Sequence, residues 1–319
     1  MPRTGNKWDQ RIERARELAK AHPFSAEILS FYCKLTAFQK TSYLQFQSDS
    51  GSQDLRHGSR PPPLDDADLG LLLTRWSPFL SLIASEAPAS LAEFARGLSS
   101  RGPHAGTALL RSVWPAAPPA ANEIGSDVGT PLVRAHMTLP QQLTTTRVAP
   151  TLSGECESAH PKLAVQPPKH NPCEGFCAQA FLQPYAEFLA DRAHVPPPFR
   201  RPVCPYCGSP PLVGVLRPEG DGAKRSLVCS FCRTEWDYLR IACPGCEEAR
   251  EEKLCVYSTP AFAGVRVEAC DTCRAYIKTI DLTLNGLALP EVDELAAVPL
   301  TLWADERGYS KVAPNVMGL

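Results

Sequence analysis

Over the first hundred residues the apolar positions recur at helical spacing. In residues 11–22, RIERARELAKAH, Ile12, Ala15 and Leu18 fall on one face. Pro23 interrupts that pattern. Ser25 offers an N-cap, and Ile28, Leu29, Tyr32, Leu35 and Phe38 continue a second stripe. Residues 7–47 therefore predict two helices. A polar stretch over 48–66, containing Pro61-Pro62-Pro63, reads as a loop. Helices are expected again at 67–86 and 88–98, the second capped by Ser90. Their core candidates are Leu71, Leu72, Trp76, Phe79, Leu80 and Ile83. From 101 to 170 no period is sustained, and Pro, Ala, Thr and Gly dominate. A short helix is expected around Thr107–Trp114 and poor order elsewhere, because such a composition buries little apolar surface. Helical spacing returns from Cys173 to Arg192, with Phe176, Ala180, Leu182, Tyr185, Phe188 and Leu189. His194-Val195-Pro196-Pro197-Pro198 then stops the helix and marks a domain boundary.

Beyond residue 203 the period changes. Short β-prone runs replace the helical pattern at Leu212–Leu216, Ser226–Cys229, Trp236–Ile241, Val256–Tyr257, Val265–Val267 and Tyr276–Ile280. One more helix is expected at Glu291–Glu306, with Leu295, Val298, Leu302 and Trp303 on its apolar side. The predicted architecture is α+β. An all-α helical domain spans 1–198, with the poorly ordered insertion around 101–170. A tandem metal domain of rubredoxin-like or zinc-ribbon-like type follows over 199–319 and ends in a helix.

Between the strands lie four Cys-x-x-Cys pairs, in two copies of one pattern. Cys204, Cys207, Cys229 and Cys232 form the first, with 21 residues between its pairs; Cys243, Cys246, Cys270 and Cys273 form the second, with 23. Cys204–Ala242 and Cys243–Leu282 align as a duplicated module of about forty residues, too small for a sufficient core of its own. In such a knuckle two cysteines three positions apart aim both sulfurs at one ion, and the tight turn points backbone N–H groups at the sulfurs. Two knuckles complete a tetrahedral shell, so two copies imply two metal ions per chain. The simplest pairing is sequential, and an exchange of knuckles between sets is also open. Four thiolates suit Zn2+ or rubredoxin-type iron. After the second cysteine of a knuckle a left-handed residue is expected. Gly208 meets that need, whereas Arg233, Glu247 and Arg274 occupy the equivalent positions and put the geometry there in question.

Charge and compartment narrow the function. The 319 residues carry a net charge of −1. Within 203–282, ten Lys and Arg face eleven Asp and Glu, and thiolate sites add negative charge. Nucleic-acid binding, which needs a basic face, is disfavoured. The charged N-terminal segment lacks the apolar core of a secretory signal, and no apolar run approaches membrane-spanning length. A cytoplasmic protein with reduced thiols is expected, so metal ligands are favoured over disulfides. A dithiol redox motif would sit in a βαβ pattern, which is missing here. Of the remaining cysteines, Cys173 and Cys177 share a helical face and read as small core residues. Cys33 reads as core too, and neither Cys156 nor Cys255 has a partner at ligand spacing. No catalytic constellation or phosphate loop is evident.

These motifs resemble a known family. Cys204-Pro-Tyr-Cys-Gly-Ser-Pro-Pro211, then Cys229-Ser-Phe-Cys-Arg-Thr-Glu-Trp236, are similar to the FdhE-type formate dehydrogenase accessory proteins. So are Glu268-Ala-Cys-Asp-Thr-Cys-Arg-Ala-Tyr-Ile-Lys278, the ending Asp305-Glu-Arg-Gly-Tyr309 with Pro314-Asn315, and N-terminal Ala21-His22-Pro23 with Phe31-Tyr32. The resemblance implies a cytoplasmic accessory protein and not an enzyme. It implies iron at rubredoxin-like cysteine sites and the catalytic subunit of formate dehydrogenase as partner; the charge balance and the lack of a long apolar run add the expectation of no nucleic acid and no membrane. The alternatives are a zinc-ribbon regulator binding nucleic acid and a rubredoxin-like electron-transfer protein.

Overall fold

Asn6 caps the first helix through its side chain, which accepts from the Trp8 amide. That helix, α1 (Lys7–Ala21), buries Trp8, Ile12, Ala15 and Leu18. A 3-10 turn at Pro23–Ser25 leads into α2 (Ala26–Asp49). The computed structural model describes residues 6–49, 60–115, 171–194 and 199–318. Cys156, most of the predicted 101–170 insertion and Pro196–Pro198 lie outside them.

Four helices follow: α3 (Asp66–Leu73), α4 (Trp76–Glu86), α5 (Ala89–Ser100) and α6 (Pro103–Val113). The single helix expected over 67–86 is thus two, separated at Thr74 and Arg75. Asp65 starts α3 with a reciprocal capping box to Asp68. Helix α6 begins four residues before the predicted Thr107, because Gly102 turns the chain at φ 78° and Pro103 is preset for a first helical position. It lies close on Trp76, whose ring would be 2.6 Å from a Cβ at Gly106. Helix α7 (Pro172–Ala190) runs through the middle of the helical region and buries most of its residues. The two serines expected as caps do other work. Ser90 lies inside α5, which starts after Pro88. Ser25 is fully buried, and its hydroxyl donates to the Ala296 carbonyl at 2.8 Å.

The second half forms one mixed sheet. Its strands are β1 (Pro211–Glu219), β2 (Gly222–Cys229), β3 (Glu235–Asp237), β4 (Leu254–Ser258), β5 (Val265–Cys270), β6 (Ala275–Asp281) and β7 (Ser310–Lys311). The order is β3-β2-β1-β6-β5-β4, with β7 also on β6. Each module contributes an antiparallel three-stranded unit, and the units join head to tail through the parallel pair β1 and β6. That places the short β3 at an edge but its repeat counterpart β6 at the centre, so the two strands differ in length. The expected C-terminal helix is two, α8 (Pro290–Ala296) and α9 (Val298–Glu306), broken at Ala297 just before Pro299. The architecture is α+β.

The helices and the first cysteine module share a core. Trp76, Phe79, Phe181 and Phe188 join Tyr206, Phe231, Trp236 and the first four cysteines in one buried cluster. A smaller cluster joins β1, β5 and β6 to α9. Charge ties the layers together: Arg11 on α1 binds both Glu187 oxygens on α7 at 3.0 Å and Glu291 on α8 at 2.5 Å. Burial alone would lower the Arg11 guanidinium, but Glu187 and Glu291 hold it above its ordinary value.

The joint between modules is a close backbone approach. Gly214 pairs with Thr279 across β1 and β6, and a Cβ there would lie 2.4 Å from Thr279 Oγ1. Thr279 is fully buried. Gly214→Ala is expected to cost about 1–3 kcal/mol by overpacking. Thr279→Ala in the same chain should return most of that loss. Urea unfolding of the two single variants and the double variant checks this coupling.

Candidate metal centres

Each knuckle is a tight turn fixed by its own backbone. The Gly208 amide donates to the Cys204 carbonyl at 2.9 Å, and Glu247 and Arg274 repeat that bond to Cys243 and Cys270 at the same distance. Returning bonds close three turns: Cys204 to Ser209, Cys229 to Thr234 and Cys243 to Glu248, at 2.8, 2.9 and 2.8 Å. The residue after the second cysteine is left-handed in all four, with φ of 75° at Gly208, 60° at Arg233, 61° at Glu247 and 59° at Arg274. Glycine is therefore not required. Each of the three larger residues bears a strain of about 1–2 kcal/mol. Two of them gain side-chain contacts: Arg274 bonds Asp271 at 3.1 Å and lies over the Tyr309 ring at 3.9 Å, and Arg233 donates to the Cys229 carbonyl at 3.3 Å.

The turns bring the eight cysteines into two groups, in sequence order. Cys204, Cys207, Cys229 and Cys232 form one, and Cys243, Cys246, Cys270 and Cys273 the other; within each, all sulfurs lie within 4.8 Å of one another. Close pairs are 3.4 Å (Cys207 to Cys229) and 3.6 Å (Cys204 to Cys232) in the first group. In the second they are 3.6 Å (Cys243 to Cys273) and 3.7 Å (Cys246 to Cys270). A tetrahedral ion with metal–sulfur bonds of about 2.3 Å places its sulfurs about 3.8 Å apart. A disulfide needs about 2.05 Å, and none of the twelve described cysteines is in one. Each group therefore fits one metal ion.

Backbone donors face the sulfurs. The Phe231 and Cys232 amides reach Cys229 Sγ at 3.3 and 3.4 Å, the Cys207 amide reaches Cys204 Sγ at 3.5 Å, and the Gly245 amide reaches Cys243 Sγ at 3.2 Å. Such contacts spread thiolate charge. Without a cation the sulfurs oppose one another's ionisation. Hydrogen bonds from Cys204, Cys229 and Cys232 hold Cys207 far below the usual thiol range, while burial pushes Cys229 and Cys232 far above it. In the second group the bond from Cys243 brings Cys273 down to about 5, and burial lifts Cys246 to about 11. A central divalent ion removes that opposition.

The two groups differ in exposure. The first is buried at every cysteine, between 0% and 2% exposed. Trp114 meets Phe231 edge-on at 5.8 Å, Gln179 on α7 donates to the Ser230 carbonyl at 3.3 Å, and Trp236 donates to the Arg201 carbonyl at 2.9 Å. In the second, Cys246 is exposed and Cys273 half-buried.

A buried ion cluster links the two modules, and sequence reasoning misses it. Arg225 on β2, 3% exposed, reaches Glu268 on β5 at 2.6 Å and donates to the Leu239 and Ala242 carbonyls at 2.8 and 3.0 Å. The available signal was an arginine at the head of the apolar run Ser226–Cys229. The other described cysteines join neither group. Cys177 is fully buried on α7, where burial raises its thiol to about 12, and Cys173 is half-buried. The Cys33 thiol faces the Ile12 carbonyl at 3.7 Å, and Cys255 faces Asp271 at 3.6 Å. Among the described residues, no helix is long and apolar enough to cross a membrane.

The chain is similar to known proteins over the same modules. Residues 203–240 match the family model of the FdhE central domain, and 241–317 match that of the FdhE C-terminal domain. A curated relative named Protein FdhE homolog, from Aquifex aeolicus, is 37% identical over 142 residues, covering 44% of this chain and 50% of the relative. A relative of the same name from Pseudomonas aeruginosa is 38% identical over 124 residues, covering 37% and 40%. The chain thus spans half or less of these relatives in sequence. The crystal structure of the FdhE protein from Pseudomonas aeruginosa shares the fold, with a TM-score of 0.57 and 22% identity over 97% of this chain and 94% of that one. Both cysteine modules thus lie inside the stretch that is similar to the FdhE domains, and the fold of an FdhE protein is shared along nearly the whole length.

Proposed function

We propose that the protein is an accessory factor in the maturation of formate dehydrogenase, acting in the cytoplasm through two metal ions held by its eight paired cysteines. The observation that carries the metal reading is the pair of four-sulfur groups at tetrahedral spacing. Cys204, Cys207, Cys229 and Cys232 would hold one ion, and Cys243, Cys246, Cys270 and Cys273 the other. Each ion would neutralise its thiolates and cross-link a small β module, contributing on the order of 10 kcal/mol to folding. The resemblance favours iron, and four thiolates accept zinc as well. The similarity of residues 203–317 to the FdhE domains supports the link to formate dehydrogenase, with its catalytic subunit as partner. The role is that of a binding protein and not a catalyst.

The test uses a bacterial host lacking its own accessory protein, grown anaerobically with the tagged full chain. Formate oxidation should return, and the catalytic subunit should co-purify with the tag. Background formate oxidation in the presence of folded, metal-loaded protein would contradict the proposal.

A further inference from the structure

The two cysteine groups share a sequence pattern and a knuckle geometry but not an environment. The first lies inside the core that joins the sheet to the helices, with all four cysteines at or below 2% exposure. Tyr206, Phe231 and Trp236 around it are 3%, 4% and 5% exposed. A chelator or electrophile can reach those sulfurs only after the core opens. The second group stands at the surface: Cys246 is exposed and Cys273 half-buried, though Cys243 and Cys270 are 4% and 1% exposed. A cavity of about 130 Å3 lies beside it, lined by Cys243, Cys255, Cys270, Ile241, Val256 and Arg240.

We propose that the two centres divide their work. The first keeps its ion as part of the core, and the second exchanges its ion with thiol-bearing ligands in solution, release beginning at Cys246. This rests on the metal reading above. It follows from local opening free energies, which range from near zero at the surface up to the global value in a core. The bond at Cys246 can break with the rest of the fold intact, the freed thiolate taking a proton from water. The equivalent event at Cys207 exposes an aromatic core first.

The test uses the full chain loaded with Zn2+ alone and mixed with a colorimetric zinc chelator. Two ions per chain should leave in two equal phases. The faster should be at least about tenfold quicker, because it needs no core opening. Cys246→Ser should abolish the fast phase and leave the slow one. Brief alkylation with iodoacetamide, mapped by mass spectrometry, should mark Cys246 first and the first group last. Two ions leaving in one phase, or a fast phase that survives Cys246→Ser, would overturn the division and leave the metal reading standing. A chain that never holds two ions would overturn both.

Discussion

Replacing Cys204 and Cys207 together by Ser is expected to abolish support of formate dehydrogenase while leaving synthesis of the client untouched. Hydroxyls are poor ligands for a soft four-thiolate site, so the first ion would be lost. A contribution on the order of 10 kcal/mol would go with it, comparable to the whole stability of a domain. The damage would not stay local. The first group shares its core with Trp114 and α7, so the helical region should loosen as well. The matched control is Cys173→Ala with Cys177→Ala on α7. Cys177 is fully buried but packs as a small side chain, and its loss should cost about 1 kcal/mol and leave support intact. Formate oxidation in a host complemented by each variant reads both results. Full activity from the Cys204 and Cys207 variant would remove the first module from the function.

Glu294→Gln is expected to destabilise the protein by about 3–5 kcal/mol, the cost of leaving buried cations without their anion. Glu294 on α8 is fully buried between two lysines. Lys278 on β6 reaches its carboxylate at 2.8 Å, and also the Glu294 carbonyl at 2.7 Å and the Thr301 hydroxyl at 2.9 Å. Lys311 on β7 pairs with the same oxygen, and Asn315 donates to the other at 3.1 Å. Burial alone would raise the Glu294 carboxyl, but Lys278 and Lys311 lower it from 4.5 to about 2. The folded-state value lies below the unfolded one. The contribution of Glu294 is therefore complete above pH 4.5 and lost as pH falls through 2, an effect of about 3 kcal/mol. Stability of wild type minus that of Glu294→Gln should shrink across that window. A difference that stays constant from pH 4.5 to 2 would mean that the charge on Glu294 does not act.

Much of this architecture is legible in the residues because it rests on periodicity. The stripes of α1, α2 and α7 and five of the six short runs become elements, whereas of the run Trp236–Ile241 only Trp236 and Asp237 lie in a strand, β3. Their leucines, aromatics and β-branched residues face one side or both sides of a layer. Element ends are less legible. Ser25 and Ser90 have the chemistry of caps, but tertiary packing sends Ser25 to the Ala296 carbonyl, and Pro88 starts α5 before Ser90. The break at Ala297 does have a signal, Pro299, which cannot donate within a helix interior. The two cysteine groups follow from spacing, whereas their difference in burial does not. Exposure depends on which module meets the helices, and the sequence pattern is the same for both. The pairs Arg225 with Glu268 and Lys278 with Glu294 are hidden for a similar reason. A charged residue in a strand reads as solvent-facing until the joining of two modules, or the docking of α8, encloses it. Arg233, Glu247 and Arg274 carry the opposite lesson. The knuckle's hydrogen bonds impose a left-handed turn on residues that local preference would place elsewhere.

The proposed function rests on two separate four-thiolate metal centres in this chain. Elemental analysis of the full-length protein, purified anaerobically without added metal, tests it most directly. Two ions per chain are predicted, with visible thiolate-to-iron absorption if the metal is iron and none if it is zinc. One ion per chain, or none, in folded protein with all its cysteines reduced would contradict it.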